Sequence, residues 1–303
     1  MFSKTCFVLV GTAAMLWSLR AHAQACCAGS NAVTPARLGP HEDGIAGASI
    51  RISDIIGNFN TRGQYASSPS STGEFDFEQD VFGALRVLPH GQVALLVPWV
   101  ETYRKTPTAS ETGGGLGDIN LAARYDFYLA RQSRYVPGIG LLLGLTFPTG
   151  TAVEDARKRL ATDATGIGAY QGTLGLALEQ IFGPWIIGLS GWASKRSSRL
   201  SRGVRYDLAP QFTALASVAY VLDSGASLAL FSSYTAEGNT SVNDSEVVDS
   251  SHRLLRFTLA GLYPLSDQTR LLASVSVDPP IQSLSANQPA SVGVLLGFTW
   301  SFL

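Results

Sequence analysis

The chain has 303 residues, with 22 basic and 23 acidic side chains and a formal net charge of −1 at neutral pH. It contains no basic cluster, which argues against a nucleic-acid partner. Beyond the first two dozen residues no apolar run reaches about eighteen residues, which excludes helical membrane spans. A soluble all-β protein and a membrane β-barrel remain as the two classes to separate.

The first residues have the pattern of a secretory signal. A short head with Lys4 precedes an apolar run from Cys6 to Leu19, and small residues follow at Ala21 and Ala23. The run is too short to cross about 30 Å of hydrocarbon as a helix. We therefore predict a signal peptide over residues 1–23 and export of the remainder, which keeps 20 basic and 23 acidic residues.

Cys26 and Cys27 stand side by side just after the predicted cleavage site. A lipoprotein signal would place a Leu-like residue where Ala23 stands, so lipidation is disfavoured. A vicinal disulfide, a cross-link to a partner and a bound metal stay open, although two adjacent thiols without further ligands make no zinc site. Residues 24–44 are predicted to be a periplasmic tail or a partial plug of the barrel.

Apolar and polar residues alternate in segments of about ten throughout the rest of the chain, which is the pattern of transmembrane β-strands. In the segment after the glycine cluster, Asn120 and Arg124 share one face while Leu121 and Tyr125 share the other. The alternation predicts twelve strands, at 45–56, 74–87, 92–104, 117–128, 137–147, 168–181, 185–195, 204–221, 226–237, 252–264, 269–278 and 290–303. An even number fits a closed barrel, because an unpaired edge in lipid leaves backbone amides unsatisfied.

The connections between these segments alternate between long and short. The long ones are polar and fall at 57–73, 105–116, 148–167, 196–203, 238–251 and 279–289, and short turns or the stretch 129–136 lie between them. With both termini in the periplasm, the short turns fall inside and the long loops outside, as in bacterial barrels. The prediction is therefore an all-β, transmembrane, antiparallel up-and-down barrel over residues 45–303, in the outer membrane of a Gram-negative cell.

Aromatic residues lie near the predicted strand ends, as the interfacial girdles of membrane barrels do. Trp99, Tyr125, Trp185 and Trp300 are examples. The last strand alternates up to Phe302, next to the C-terminal Leu303. We expect outer-membrane lipid and the barrel-assembly machinery, which reads such a strand, as partners.

Two motifs resemble those of a known family. The run Gly113–Ile119 contains G-L-G-D, and Leu143–Gly150 is an apolar strand ending in P-T-G. Both resemble the phenol meta-pathway (MetA-like) family of outer-membrane proteins. That resemblance implies an outer-membrane barrel associated with uptake of small, often aromatic, compounds, and it implies no catalytic motif.

The same residues also have a local interpretation. Gly113 to Gly117 are expected to turn the backbone from an outer loop into the membrane with positive φ angles. Asp118 then faces inward at the rim. Pro148 ends the pairing of its strand, since proline donates no ladder hydrogen bond.

Charged residues at inward-facing positions are the candidate functional residues. They are predicted to line the lumen: Arg51, Asp76, Glu78, Asp80, Arg86, Asp118, Arg124, Asp126, Glu179, Arg205, Asp207 and Arg256. One interpretation is a hydrated pathway whose charges set selectivity, and the other is a ladder of ion pairs that fills the interior. Size does not decide between them, because a barrel of twelve strands falls between plugged and open ones.

The prediction is a passive channel for small solutes, including apolar or aromatic ones, with no cofactor and no metal. The alternative is a structural or loop-binding barrel with a plugged lumen. An outer-membrane hydrolase would need a serine beside a histidine, and only His252, next to Ser250 and Ser251, lies near the outer rim. We therefore expect no enzymatic activity.

Overall fold

A computed structural model describes residues 37–39 and 41–302. The predicted signal peptide and the Cys26–Cys27 pair lie outside these residues. The strands are β1 (Gly44–Phe59), β2 (Tyr65–Ser67), β3 (Gly73–Leu88), β4 (Gly91–Thr106), β5 (Ala109–Leu116), β6 (Ile119–Tyr128), β7 (Gly138–Phe147), β8 (Gln171–Phe182), β9 (Trp185–Arg196), β10 (Arg199–Ser201), β11 (Val204–Asp207), β12 (Gln211–Val221), β13 (Ser227–Glu237), β14 (Ser241–Val242), β15 (Ser245–Glu246), β16 (His252–Pro264), β17 (Thr269–Val277) and β18 (Gln288–Phe302).

These strands form a closed antiparallel barrel of twelve staves, as predicted. Each stave pairs with its neighbours in the chain, and β1 pairs with β18 from Gly44 opposite Phe302 to Phe59 opposite Gln288. The closure satisfies both backbone edges of every stave, which is what a hydrocarbon environment demands.

One stave consists of two strands. β4 pairs with β5 from Trp99 to Thr106 and with β6 from Gly91 to Leu96. The break between β5 and β6 falls at Gly117 and Asp118. There the Gly117 amide still bonds to the carbonyl oxygen of Pro98 at 2.9 Å. The predicted loop 105–116 therefore consists mostly of β5, which forms a hairpin with the second half of β4.

Short and long connections alternate as predicted. The turns at Pro89 and His90, and at Gly183 and Pro184, contain two residues each. We call the end that carries these turns the turn end, and the other the loop end. The longest turn-end connection runs over 129–137 and the longest loop-end connection over 148–170.

The predicted strand 204–221 differs from the structure. Its first part is β11, which pairs with β10 and β14 in a separate four-stranded sheet at the loop end. The barrel stave begins only at Gln211. Pro210 explains the break, because it has no amide hydrogen to donate to a neighbouring strand.

The two faces of the barrel wall differ sharply. Outward apolar side chains are exposed, for example Val81 at 63% and Leu296 at 63%, whereas inward Asp80 and Asn120 are 2% and 7% exposed. Outward aromatic pairs such as Trp185–Tyr220 and Trp300–Phe302 lie near the turn end. The alternation in sequence therefore sorts an apolar outside from a mostly polar inside. None of the helices in the described ranges is both long and apolar enough to span a membrane.

Candidate functional site

The loop-end half of the lumen contains a cavity of about 450 Å³. Its wall is mostly hydroxyl, amide and charged side chains, and its apolar part lies toward the middle of the barrel. The lining residues are Arg51, Glu78, Leu96, Pro98, Asp118, Asn120, Thr146, Ile167, Gln171, Thr173, Trp192, Ser194, Gln211, Thr213, Ser233, Thr235, Arg256, Thr258, Ser274, Ser276, Val294 and Leu295. A small solute fits such a space with polar groups on most sides.

A second cavity of about 230 Å³ adjoins the first. Arg51, Glu78 and Arg256 line both, and Asp76 lines only the smaller one. The boundary between the two spaces therefore carries two guanidinium groups and a carboxylate. An ion that moves between the two spaces passes these three groups.

Ion pairs hold the charged side chains of the lumen against its wall. Arg51 pairs with Glu78, and Arg104 contacts Glu74 at 2.7 Å. Arg124 contacts Asp126 at 2.8 Å, and Arg196 contacts Glu237 at 2.6 Å. Arg256 bonds to both carboxylate oxygens of Asp278, at 2.7 and 2.9 Å. These pairs lower the cost of placing charge in a narrow barrel.

β3 carries four carboxyl groups on its inward face, at Glu74, Asp76, Glu78 and Asp80. Glu74 and Glu78 have the arginine partners described above. Asp76 accepts a hydrogen bond from the Thr102 hydroxyl at 2.8 Å, and Asp80 accepts one from Ser49 at 3.2 Å. Two of the four groups are therefore balanced by an opposite charge and two by neutral donors.

Two apolar clusters lie in the turn-end half of the lumen, beside inward charged groups such as Arg124 and Glu179. One cluster contains Leu38, Ile45, Phe82, Ala84, Ala94, Leu96 and Ala122. A larger cluster contains Leu142, Ala177, Ile186, Trp192, Leu215, Ala219, Ala229, Phe231 and Ala260. The polar cavity thus has an apolar floor, and any path through the barrel must pass these clusters.

Residues 37–39 and 41–43 lie within the turn-end mouth and are fixed there by inward side chains. Arg37 pairs with Glu179 of β8, and the Leu38 amide bonds to Gln92 Oε1 at 3.0 Å. Leu38 itself is 8% exposed. We call residues 37–39 and 41–43 the mouth segment; it narrows the lumen at the turn end.

Two further residues fix the mouth segment. Buried Glu42 pairs with buried Arg270 of β17. Arg86 donates to the carbonyl oxygens of Gly39 at 2.5 Å and Glu42 at 3.0 Å. Partners from β3, β8 and β17 therefore hold one short segment from different sides of the mouth.

The two sequence motifs contact each other. Asp118 accepts hydrogen bonds from the amides of Gly150 at 2.9 Å and Ile167 at 2.6 Å. Thr149 donates to the Gly117 carbonyl oxygen at 2.6 Å and accepts from the Ile119 amide at 3.0 Å. The G-L-G-D and P-T-G motifs together therefore anchor both ends of the loop 148–170.

The glycines of the first motif act differently from the prediction. Gly113, Gly114 and Gly115 lie in extended β5, and neither they nor Gly117 has a positive φ. A Cβ at Gly113 would lie 2.6 Å from the Thr162 carbonyl carbon, and one at Gly117 would lie 2.8 Å from Pro98. The glycines thus make room for the loop and for β4; the expectation of positive φ is wrong.

The structure places ten of the predicted lumen residues on inward barrel positions or at the barrel mouth. Arg205 and Asp207 instead lie on β11 of the outer sheet, where Arg205 is about half exposed and contacts Asp207 at 3.1 Å. Pro210 separates them from the barrel stave, which corrects their expected position.

Several inward charges were not predicted from the sequence: Arg37, Glu42, Glu74, Arg104, Arg196, Glu237, Arg270 and Asp278. Glu74, Arg104, Glu237, Arg270 and Asp278 lie within the predicted strands, where the alternation would have found them. Arg196 follows the predicted strand 185–195 by one residue. Nothing in the local pattern marks Arg37 or Glu42, which precede the barrel.

The residues weighed for hydrolysis have other partners. The Ser250 hydroxyl donates to the Val247 carbonyl oxygen at 2.7 Å, and His252 Nε2 lies 3.2 Å from Glu237. His252 thus extends the Arg196–Glu237 pair at the loop-end rim. Within residues 37–39 and 41–302 no group of three or more His, Cys, Asp or Glu side chains is placed to hold a metal ion.

Comparison with known proteins gives one family and a set of barrels. The profile of the family described as "Putative MetA-pathway of phenol degradation" (the MetA-pathway family) matches residues 57–280. No curated protein matches the chain in sequence.

Solved structures are similar at low identity. An outer membrane channel from Pseudomonas putida F1 has a TM-score of 0.73 and 18% identity, over 88% of this chain and 97% of the other. The transport unit of the autotransporter AIDA-I from Escherichia coli has a TM-score of 0.47 and 8% identity, over 90% and 95%. The KdgM porin has the same score and identity, over 85% and 99%. The first of these similarities shows that the barrel is a fold found in outer-membrane proteins.

Proposed function

The chain belongs to the MetA-pathway family, and from this membership and the geometry of its lumen we propose that it is a passive outer-membrane channel for small solutes. The fold it shares with an outer membrane channel supports this role. The polar cavity of about 450 Å³ in the loop-end half of the lumen is the observation that carries the proposal. A barrel built only as a scaffold has no need of a hydrated space lined by side chains from nearly every stave.

The outward face supports the outer membrane as the location. Leucine, valine and aromatic side chains cover it, with exposed Phe127, Trp185 and Tyr263 toward the turn end and exposed Phe75 and Phe212 toward the loop end. An apolar band between two aromatic belts fits a lipid partner. The alternating strand β18 is also suited to recognition by the assembly machinery, which stays a proposal.

The solutes we propose are small, with apolar or aromatic compounds among them. The cavity combines hydroxyl and amide groups on its walls with Trp192, Leu96 and Leu295 toward its floor. An aromatic compound with one polar substituent would find partners for both parts. The family description points to the same class of compound.

The mouth segment acts in this proposal as a partial plug. Glu179 on β8, Arg270 on β17 and Arg86 on β3 bind the segment through polar contacts. Leu38 packs in the smaller apolar cluster. Each of these contacts can break without disrupting a strand of the barrel. Release of residues 37–39 would therefore widen the turn-end mouth while the barrel stays closed.

Conductance of the refolded protein in planar bilayers tests the proposal. Wild-type protein is compared with the variant Arg37→Ala/Leu38→Ser, which removes the ion pair and the apolar anchor of the mouth segment. The matched control is Arg62→Ala in the loop-end connection, since Arg62 lies outside the lumen. Folding is checked by the change in gel mobility on heating.

We expect stepwise currents that are larger in the double variant than in wild-type protein and unchanged in the control. Equal currents from all three proteins would contradict the role of the mouth segment as a plug but support the channel. Silence from all three folded proteins would reject the channel itself.

The second candidate is a structural or loop-binding barrel with a plugged lumen. The apolar clusters across the turn-end half of the lumen favour it. Contacts between the loop-end connections also favour this candidate. Arg199 pairs with Glu154 at 2.6 Å, and Ser201 bonds to Asp155 at 2.5 Å. Silence in the conductance experiment would favour this candidate.

We further propose that the chain is not an enzyme. Ser250 and His252, the two residues weighed for hydrolysis, have their polar atoms bonded to Val247 and Glu237. A serine nucleophile needs its hydroxyl hydrogen-bonded to the base. Absence of esterase activity in the folded protein is the expected result.

A further inference from the structure

The arginines of the lumen are all held by anionic or carbonyl partners. Among the described residues, those on the lumen side pair with carboxylates, except Arg86, which donates to the carbonyl oxygens of Gly39, Glu42 and Pro89. The charge of the paired arginines is therefore neutralised where it stands, whereas Arg86 keeps one positive charge at the turn-end mouth.

Three lumen aspartates differ from this pattern. Asp76 and Asp80 have hydroxyl donors, and Asp118 has two backbone amides. Neutral donors stabilise a carboxylate but leave its negative charge in place. The fixed charge of the lumen is thus unbalanced toward the negative sign.

Asp80 lies beside a second carboxyl group on the inner wall. Its side chain is 2% exposed, and its Oδ1 atom has no hydrogen-bond donor among the described residues. Glu78 stands two positions away on the same inward face, already paired with Arg51. Asp80 and Glu78 together therefore place two carboxyl groups and one arginine on this part of the inner wall.

Two of the three unbalanced carboxylates line the two spaces of the lumen. Asp76 lines the smaller cavity and Asp118 lines the larger one. Glu78 and Arg51 lie at the boundary between them. An ion that crosses the loop-end half of the lumen therefore passes negative charge in each space.

We infer that the lumen prefers cations over anions, and that Asp76 and Asp80 set this preference. The inference rests on the proposed channel function and adds the sign of the charged solutes that the channel accepts. Fixed charges act strongly in a narrow space with low-dielectric walls, where salt screens them poorly. Carboxylate-lined pores select cations in this way, without a coordination site for one ion.

The reversal potential in a tenfold KCl gradient at mildly alkaline pH tests the inference. The wild-type mature protein and the mouth-segment variant Arg37→Ala/Leu38→Ser are both measured. Into each we introduce Asp76→Asn/Asp80→Asn, which keeps the acceptors for Thr102 and Ser49 but removes two charges. The matched control is Arg51→Gln/Glu78→Gln, which removes one charge of each sign from the same wall.

The expected result is a severalfold preference for K⁺ over Cl⁻ that falls toward unity in Asp76→Asn/Asp80→Asn and persists in the control. Conductance without cation preference, or an unchanged preference in Asp76→Asn/Asp80→Asn, would overturn the inference and leave the channel standing. Silence of every folded protein would reject the proposed channel and the inference with it. A loss of preference in the control as large as in the aspartate variant would also overturn the assignment to these two residues.

Discussion

Asp118 and Gly150 are joined by a hydrogen bond of 2.9 Å from the Gly150 amide to the Asp118 carboxylate, although 32 positions separate them. The same carboxylate accepts a bond from the Ile167 amide at 2.6 Å. The backbone of Gly166 passes so close that a Cβ there would collide with the Asp118 side chain. The family motifs therefore meet in space and fix the loop 148–170 to the barrel rim.

Asp118→Ala is expected to loosen this loop. It removes the acceptor of two amides, and a hydrogen bond to a charged group contributes about 1.5–3 kcal/mol. Protease cleavage within residues 151–166 should accelerate by about tenfold or more, because cleavage follows the population of the open loop. Thr149→Val, which loses only neutral bonds, should accelerate it less. A cleavage rate of Asp118→Ala equal to the wild-type rate would contradict the anchoring role.

Leu295 and Leu296 test the two faces of the wall at the centre of β18. Leu296 is 63% exposed on the outside, whereas Leu295 is 6% exposed and lines the lumen cavity. Leu296→Arg should reduce stability by about 2–4 kcal/mol, the cost of arginine against lipid near the midplane. Leu295→Arg should cost less, because its guanidinium group would extend into the polar cavity that Leu295 lines.

Urea unfolding of both variants in lipid vesicles measures the difference. The two wild-type residues are identical and adjacent, so only the face differs. A larger loss for Leu295→Arg than for Leu296→Arg would reverse the assignment of inside and outside.

The Glu42–Arg270 pair should be important for stability. Glu42 is 2% exposed, so Arg270→Ala would leave its charge buried without its main partner. Such a loss costs about 3–5 kcal/mol. Glu42→Gln/Arg270→Gln should recover much of it, since no buried charge then remains. The temperature at which the folded band disappears on electrophoresis reports both effects; no recovery in the double variant would speak against this explanation.

Gly113→Ala should disturb the contact between β5 and the loop 148–170. The added Cβ would lie 2.6 Å from the backbone of Thr162, which is fully buried. Forcing extra volume into a packed site costs about 1–3 kcal/mol. Gly172→Ala on β8 is the control, because nothing lies within 4 Å of a Cβ there. Protease resistance of the loop should fall only in Gly113→Ala; equal resistance of both variants would show that the contact adapts.

The loop also contains a group with a defined pH response. Backbone amides of Arg157 and Lys158 donate to the Asp163 carboxylate at 2.9 and 3.1 Å and hold its pKa below the ordinary value of 3.8. The folded turn thus binds a proton less readily than the unfolded one. Its stabilisation is complete above the ordinary pKa and is lost as the pH falls through the lowered pKa.

Hydrogen exchange of the Arg157 and Lys158 amides between about pH 2 and 6, corrected for intrinsic rates, measures this loss. Protection should drop below the ordinary pKa of the carboxyl. In Asp163→Asn the protection should not change across this range. A drop of the same size in Asp163→Asn would assign the effect to another group.

The sequence predicts the barrel well because the relevant signal is local. Leu121 faces outward and Asn120 inward because adjacent residues of a strand point to opposite sides, whatever lies elsewhere. The same reasoning fails for Arg205 and Asp207. They alternate like barrel residues, but Pro210 separates them from the barrel strand. Alternation alone does not distinguish a barrel strand from a hairpin beyond it.

The lumen is less predictable because its pairs form only when the barrel closes. Arg37 and Glu179 are 142 positions apart, and Glu42 and Arg270 are 228 apart. No pattern in a window of ten residues marks such partners. Arg51 and Glu78, by contrast, face each other on neighbouring strands, and their inward phase was predicted for each strand separately.

The barrel cannot close until β18 is present, because β18 is the strand that pairs with the open edge of β1. β1 is made first, and one of its edges can be satisfied only by residues about 240 positions later. Between export and insertion, that edge must be shielded from other chains, or it will recruit a strand of the wrong protein. A chain that stops anywhere before β18 therefore cannot close, and its unpaired edge stays open to the strands of other chains.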